Sequence, residues 1–323
     1  MTKKELVIKA IEFKCPDRIP IWHFNRDHDE GDILKFQLFL TKDDGLTNEW
    51  GYKWESLGDG TVGQPEKPVI SSLSELKDFQ YPALEPEKRS SGIEEFKRKS
   101  AGHYLLGGLG ITGFTTYTFV RGFSNAMMDF AYKDPQAIAL LDRIFAHEME
   151  MITLASKLGV DGVHLSDDWG TQNGLIISPP MWRDIFKPRY KKQFDHAHAL
   201  GLHVWFHCCG NIGDIVADFH EIGVDVMNIS QPNAVDIPKV GQNLKGRQCF
   251  LMPISYQTVS ISGTPDDIYK EARRLYSNLG TEKGGFIGYV EEYGCMGMSE
   301  TNYQACISSF KRLRSPKSSM KNV

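Results

Sequence analysis

The sequence predicts an α/β fold, a (β/α)₈ TIM barrel with an N-terminal extension or lid. Short apolar runs alternate with helical patterns through the last two-thirds of the chain, which calls for parallel strands joined by helical crossovers. Polar and nucleophilic residues follow the C-terminal ends of those runs, where barrel enzymes place their sites. No Gly-x-Gly-x-x-Gly follows the first apolar run of the chain, Arg18–Trp22, which disfavours a doubly wound dinucleotide-binding sheet. One domain is expected over residues 1–323, with 1–100 as extension and lid and 101–323 as most of the barrel.

Each element has its own signal. Thr2 to Phe13 reads as a helix, with Leu6, Val7, Ala10 and Ile11 on one face. Arg18–Trp22 is a short apolar strand. His23 to about Ser90 is rich in Asp, Gly and Pro and reads as an irregular cap over the barrel mouth, with a short helix at Leu73–Phe79. Tyr104–Leu109 is a buried strand. Asp134–Leu158 is a long helix opened by Asp-Pro. Gly162–Leu165 is the next strand. The helix Pro179–Leu200 should kink or split at Pro188. Strand His203–Phe206, helix Ile212–Ile222, strands Val224–Ile229 and Cys249–Ile254, helix Pro265–Leu279, strand Gly285–Val290 and helix Glu300–Arg312 complete the alternation.

Composition narrows the function. A net charge of −4 gives no electrostatic case for nucleic acid or an anionic membrane. No apolar run approaches the roughly 20 residues of a membrane span, and the N-terminal segment lacks a signal-peptide core. A cytoplasmic protein is expected. Its six cysteines include the adjacent Cys208 and Cys209, which do not suit a secreted disulfide framework.

The chemistry concentrates at Leu202–Asn211, LHVWFHCCGN. His207 and Cys209 are two apart on an extended backbone and point the same way, making half of a tetrahedral zinc site. Cys295, after the last strand, is the natural third ligand, and a His-Cys-Cys set leaves a coordination position open for catalysis. Glu292 is a candidate for that fourth position. Cys208 should face the other way and be buried. Cys15, Cys249 and Cys306 are expected in the core. Of Asp167 and Asp168, one should face the mouth as an acid/base or substrate-orienting group. The competing role is a helix N-cap or a loop ion pair. Asn228 and Gln231 offer amides to a polar ligand. Trp22, Phe24, Trp50 and Trp54 are candidate walls of an apolar pocket. His196 and His198 do not share a helix face and are excluded as a metal pair. His103, His147, His164 and His220 carry no functional signal.

Asp17-Arg-Ile-Pro-Ile-Trp22, Asp168-Trp-Gly-Thr-Gln172, Ile177-Ser-Pro179, His207-Cys-Cys-Gly-Asn211, Gly263-Thr-Pro265 and Asn302 occur in that order. This pattern resembles the uroporphyrinogen decarboxylase superfamily over nearly the whole chain, and more closely its cobalamin-dependent methyltransferase branch. The resemblance implies a zinc ion on His207, Cys209 and Cys295 that activates a methyl donor or acceptor. It also implies a separate corrinoid protein, carrying cobalamin, that exchanges the methyl group. Relatives act on methanol, methylamines, methoxylated aromatics or thiols. True porphyrinogen decarboxylases carry Met-Arg-Gln-Ala-Gly-Arg after the Pro-x-Trp; here Phe24 to Asp29 stand there, with Asn25 and Asp29 at the arginine positions. An acid would meet a carboxylated tetrapyrrole where a cation is needed, so the decarboxylase activity is disfavoured. The implied catalytic residues are Asp168, His207 and Cys209, with Asn228, Gln231, Trp22 and Asn25 on the substrate. The loop before Asn302 is shorter than in thiol-directed relatives, which opens Glu291 or Glu292 as a further ligand. The alternatives are a metal-free decarboxylase on the same fold and a non-catalytic tetrapyrrole- or corrinoid-binding protein. A homodimer is compatible with all three.

Overall fold

The structure, a computed structural model, describes residues 1–24, 31–55, 63–65, 67–291 and 294–313, without the side chain of residue 295. The chain begins with α1 (Lys3–Ile11), β1 (Ile21–Phe24), β2 (Ile33–Gln37), a two-stranded antiparallel ribbon β3 (Trp54–Glu55) and β4 (Gln64–Pro65), α2 (Pro86–Arg89) and α3 (Ile93–Lys99). It continues through β5 (Tyr104–Ile111), α4 (Gly113–Arg121), α5 (Phe123–Tyr132), α6 (Pro135–Lys157), β6 (Gly162–Ser166), α7 (Pro179–Ile185) and α8 (Lys187–Ala199). The last part holds β7 (His203–Cys208), α9 (Val216–Glu221), β8 (Val226–Ile229), α10 (Ile237–Leu244), β9 (Cys249–Pro253), α11 (Val259–Ser262), α12 (Pro265–Leu279), β10 (Phe286–Glu291) and α13 (Glu300–Arg312).

Eight parallel strands run in the order β1-β10-β9-β8-β7-β6-β5-β2 and form the nearly closed wall of a (β/α)₈ barrel. Alternate residues split between two cores. Trp22, Ile33, Leu106, Trp205, Leu251 and Ile287 fill the lumen, and α1 closes its N-terminal end with Val7, Ala10 and Ile11. Residues of opposite parity, such as Phe206, Cys208 and Ile229, pack outward against the helices.

The seam between β1 and β2 carries no strand ladder among the described residues. It is joined through Asp32, whose N–H donates to Ile21 O at 2.9 Å. The Asp32 carboxylate accepts from Ile21 N at 2.8 Å and from both terminal nitrogens of Arg18 at 2.8 and 2.5 Å. Asp32 is fully buried while Arg18 is half exposed, so deleting the acid strands the buried Ile21 N–H. Asp32→Ala is expected to lower the unfolding free energy by about 2–4 kcal/mol. A loss under about 1 kcal/mol in urea titrations would mean the seam is held elsewhere.

Several expectations are corrected. The stretch after His23 contains a barrel strand, β2, and is not wholly a cap. Its alternation is masked because Lys35 lies on the lumen side, over the Trp22 and Phe24 rings, where an apolar residue would mark a strand. The barrel therefore draws two strands from the first hundred residues. Cys15 is exposed rather than core, in a turn where its φ is +54°. Cys249 and Cys306 are buried as expected. Pro188 divides its helix as anticipated, with α7 ending at Ile185 and α8 starting at Lys187. The Thr- and aromatic-rich α4 has weak intrinsic helix propensity and escapes the sequence pattern.

Candidate metal centre at the barrel mouth

The ends of β6, β7 and β8 are in register, Ser166 beside His207 and His207 beside Asn228. Three adjacent strands thereby present side chains at one level of the rim. Along β7, Trp205 joins the lumen core while Cys208 is directed outward, fully buried, accepting the Trp169 N–H at 3.2 Å. His207 lies on the same face as Trp205. Gly210 then turns the chain at φ +77°.

Asp168, His207 and Cys209 bring one donor atom each to within 4.8 Å of one another. His207 Nε2 lies 3.5 Å from Cys209 Sγ and 3.9 Å from an Asp168 carboxylate oxygen. Donors bound at about 2.0–2.3 Å in a tetrahedron are spaced by about 3.5 Å, so the set has the dimensions of a zinc site. Asn228 fixes the imidazole: its Nδ2 donates to Leu251 O at 2.8 Å, which orients Oδ1 as acceptor for His207 Nδ1–H at 2.5 Å. The Nε2 lone pair is then left facing the mouth, the outer-sphere support usual for metal-bound histidine. Burial and the nearby Asp168 carboxylate push the Cys209 thiol well up, and Glu291 adds to this, against a hydrogen bond from Ser230. A cation placed among these groups would reverse that balance.

The two loops that carry the acid and the thiol are pinned together. Cys209 N donates to Asp168 Oδ1 at 2.8 Å, and Gly170 N donates to Cys209 O at 3.1 Å. A Cβ on Gly210 would sit 2.1 Å from Gly170 O, and a Cβ on Gly170 would sit 2.4 Å from Asn211 N. Both positions require glycine for the close backbone approach.

The two acids divide the roles anticipated for them. Asp168 joins the donor cluster. Asp167 is buried beneath it and accepts from Phe114 N, Thr115 N and Thr115 Oγ1 at 2.7–2.8 Å and from Tyr190 OH. With Glu148, which accepts from Gly113 N at 2.7 Å, it caps the first turn of α4. The sequence gives no hint of Glu148, which lies mid-helix with Gln193 Nε2 on its second oxygen at 2.7 Å.

Burial raises Glu148 from 4.5 to about 8 and Asp167 from 3.8 to about 7. Between 4.5 and about 8 the folded chain keeps a proton that the unfolded chain has released, so stability falls as pH rises through that window. From about pH 6 to about pH 9 the wild type should lose about 2 kcal/mol more than Glu148→Gln. With the Gln193 amide turned over, the new amide N–H can donate to Gln193 Oε1, which is buried and lacks a partner among the described residues. Parallel pH profiles for the two proteins would refute this.

The remaining expected site residues are placed as follows. Gln231 is committed to Gly210 N at 2.9 Å, Gln172 and Tyr256. Both amide atoms of Asn228 are likewise taken by protein partners. Trp22 stands in the lumen, edge-on to His164, Trp205 and Tyr289 at 5.2–6.0 Å. Trp54 packs on Phe119, whereas Trp50 packs on His147 in the outer core. Asn25, Asp29 and Glu292 lie outside the described residues, as does the Cys295 side chain. Lys35 and His164, neither singled out in sequence, face the lumen, Lys35 over the Trp22 and Phe24 rings and His164 6.3 Å from His207 between ring centres. A cavity of about 450 Å³ opens beside Asp168, walled by Phe114, Phe119, Phe123, Pro65 and Ile176.

The family described as uroporphyrinogen decarboxylase (URO-D) matches residues 57–310. A solved methyltransferase from Methanosarcina mazei aligns with a TM-score of 0.69 and 14% identity, over 96% of this chain and 98% of that one. At such identity the likeness is one of fold. A B12-independent methionine synthase from Shewanella sp. W3-18-1 aligns with a TM-score of 0.41 and 11% identity, over 68% of this chain and 64% of its own. No curated protein matches the sequence.

Proposed function

The chain belongs to the uroporphyrinogen decarboxylase family, and from that premise we propose that it is a zinc-dependent methyltransferase exchanging a methyl group between a small substrate and a corrinoid on a separate protein. The observation that carries the reading is the Asp168–His207–Cys209 cluster, a donor set of zinc-site dimensions at the end of the barrel where such enzymes react. The fold-level likeness to a protein named a methyltransferase supports it.

His207 and Cys209 would hold the ion, with Asp168 beside them and Cys295 as the further thiol. Bound zinc supplies Lewis acidity, which polarises an ether or alcohol oxygen or keeps a thiol ionised near neutral pH. The protein's own groups do the rest. Asn228 keeps the His207 proton on Nδ1, so Nε2 stays available. Asp168 orients the substrate and takes its proton at a carboxylate oxygen, aligned by the Cys209 N–H. The aromatic walls beside Asp168 exclude water from the reacting methyl group. A cytoplasmic setting keeps the thiol ligands reduced.

The test is transfer of methyl groups from a panel of methyl ethers, methylamines, methanol and methyl thioethers to free cob(I)alamin by zinc-loaded protein, followed by the cobalamin spectrum. Methylation from at least one donor, abolished in His207→Ala, is expected. No methylation from any donor, with carbon dioxide release from a carboxylated substrate that survives chelation, would favour the metal-free decarboxylase instead.

A further inference from the structure

Lys35 is a cation where a barrel normally places an apolar side chain. It projects from β2 into the lumen, its Nζ 4.3 Å from the centre of the Phe24 ring and 5.5 Å from that of Trp22. Gly108 on the neighbouring strand leaves room for the stem: a Cβ there would come within 3.0 Å of Lys35 Cδ. Among the described residues Lys35 makes neither a hydrogen bond nor an ion pair; its Nζ meets the faces of the Trp22 and Phe24 rings. Glu291 acts on it only through space, and burial lowers its pKa to about 8, which still leaves it charged at neutral pH. His164, 5.2 Å from Trp22 and 6.3 Å from His207 between ring centres, is held neutral by burial and by Lys35 itself.

A charge kept in a low-dielectric lumen without a bonded partner is costly unless something arrives to meet it. The arriving group must be an anion. It must also fit beside the Phe24 and Trp22 rings, with its other end directed toward His207, whose ring lies 6.3 Å from that of His164. We propose that Lys35 anchors the carboxylate of the substrate, so that the chain acts on a carboxylate-bearing compound whose other end reaches the Asp168–His207–Cys209 cluster. That this other end carries the transferred methyl group rests on the proposed transferase activity; the anion site does not.

Benzoate and benzamide are the probes, since they share shape and ring and differ in charge. Binding is measured by calorimetry on zinc-loaded and on chelator-treated protein, for the wild type, Lys35→Met and Lys35→Arg. Lys35→Met keeps the stem between the rings and removes the charge. The wild type should bind benzoate about tenfold or more tighter than benzamide in both metal states, as a charge-assisted contact implies. The preference should fall within about twofold in Lys35→Met and return in Lys35→Arg. Thermal melting checks that each variant is folded, and Lys35→Gln replaces Lys35→Met if that variant is not. Equal binding of the two probes, or no benzoate binding at millimolar concentration, overturns the proposal. So does a preference that survives Lys35→Met but disappears on chelation, which would put the carboxylate on the metal. Benzoate selectivity lost with Lys35, in a protein that methylates cobalamin from no donor, would uphold the anion site while the transferase reading fails.

Discussion

Cys209→Ser is expected to drop bound zinc from about one equivalent to under about a tenth after passage over a mild chelator, because structured zinc sites lose most of their affinity with a thiolate ligand. Cys208→Ser, one residue away, should keep its zinc. The two thiols differ only in which side of β7 they take. Cys208 accepts the Trp169 N–H in the outer core, whereas Cys209 stands 3.5 Å from His207 Nε2. Methyl transfer should follow metal content, falling at least about a hundredfold in Cys209→Ser. Emission spectrometry of the purified proteins separates the outcomes. Equal zinc in the two variants would remove the cluster as a metal site.

Gly210→Ala should be nearly as damaging without touching a donor atom. Alanine at φ +77° is strained, and its Cβ would fall 2.1 Å from Gly170 O, so one of the two loops must move. Since these loops carry Cys209 and Asp168, the donors separate. A stability loss of about 2–4 kcal/mol is expected, with zinc affinity down by about 10–100-fold. Gly174→Ala is the control: its Cβ would meet nothing within 4 Å, and it should change both quantities little. Retention of full zinc affinity in Gly210→Ala would show that the backbone contact does not set the donor spacing.

Much of this arrangement is legible in the residues, for definite reasons. Strands β5 to β10 and helices α6, α12 and α13 are bounded by turn residues and caps, so periodicity locates them. The His207/Cys209 pair is legible because an i, i+2 spacing at a strand end admits one geometry. Two things escape. One is β2, where Lys35 takes a lumen position, so that a charged residue hides the pattern that would reveal its strand. The other is partnership at a distance: nothing in the spacing of Asn228, Glu148 or Gly170 says which groups they will meet, because those contacts arise only when the barrel closes. Asn228 is anticipated as a ligand contact, and its hydrogen bond to His207 is a partnership that its place in the sequence does not announce.

The ladderless boundary at Asp32 has a bearing on where the wall gives way. Elsewhere, parting two staves of the barrel breaks a row of backbone bonds; here, among the described residues, it breaks the few bonds that Asp32 makes. Transient opening is drawn to the least stable segment of a structure, so the staves should come apart here before they do along any ladder.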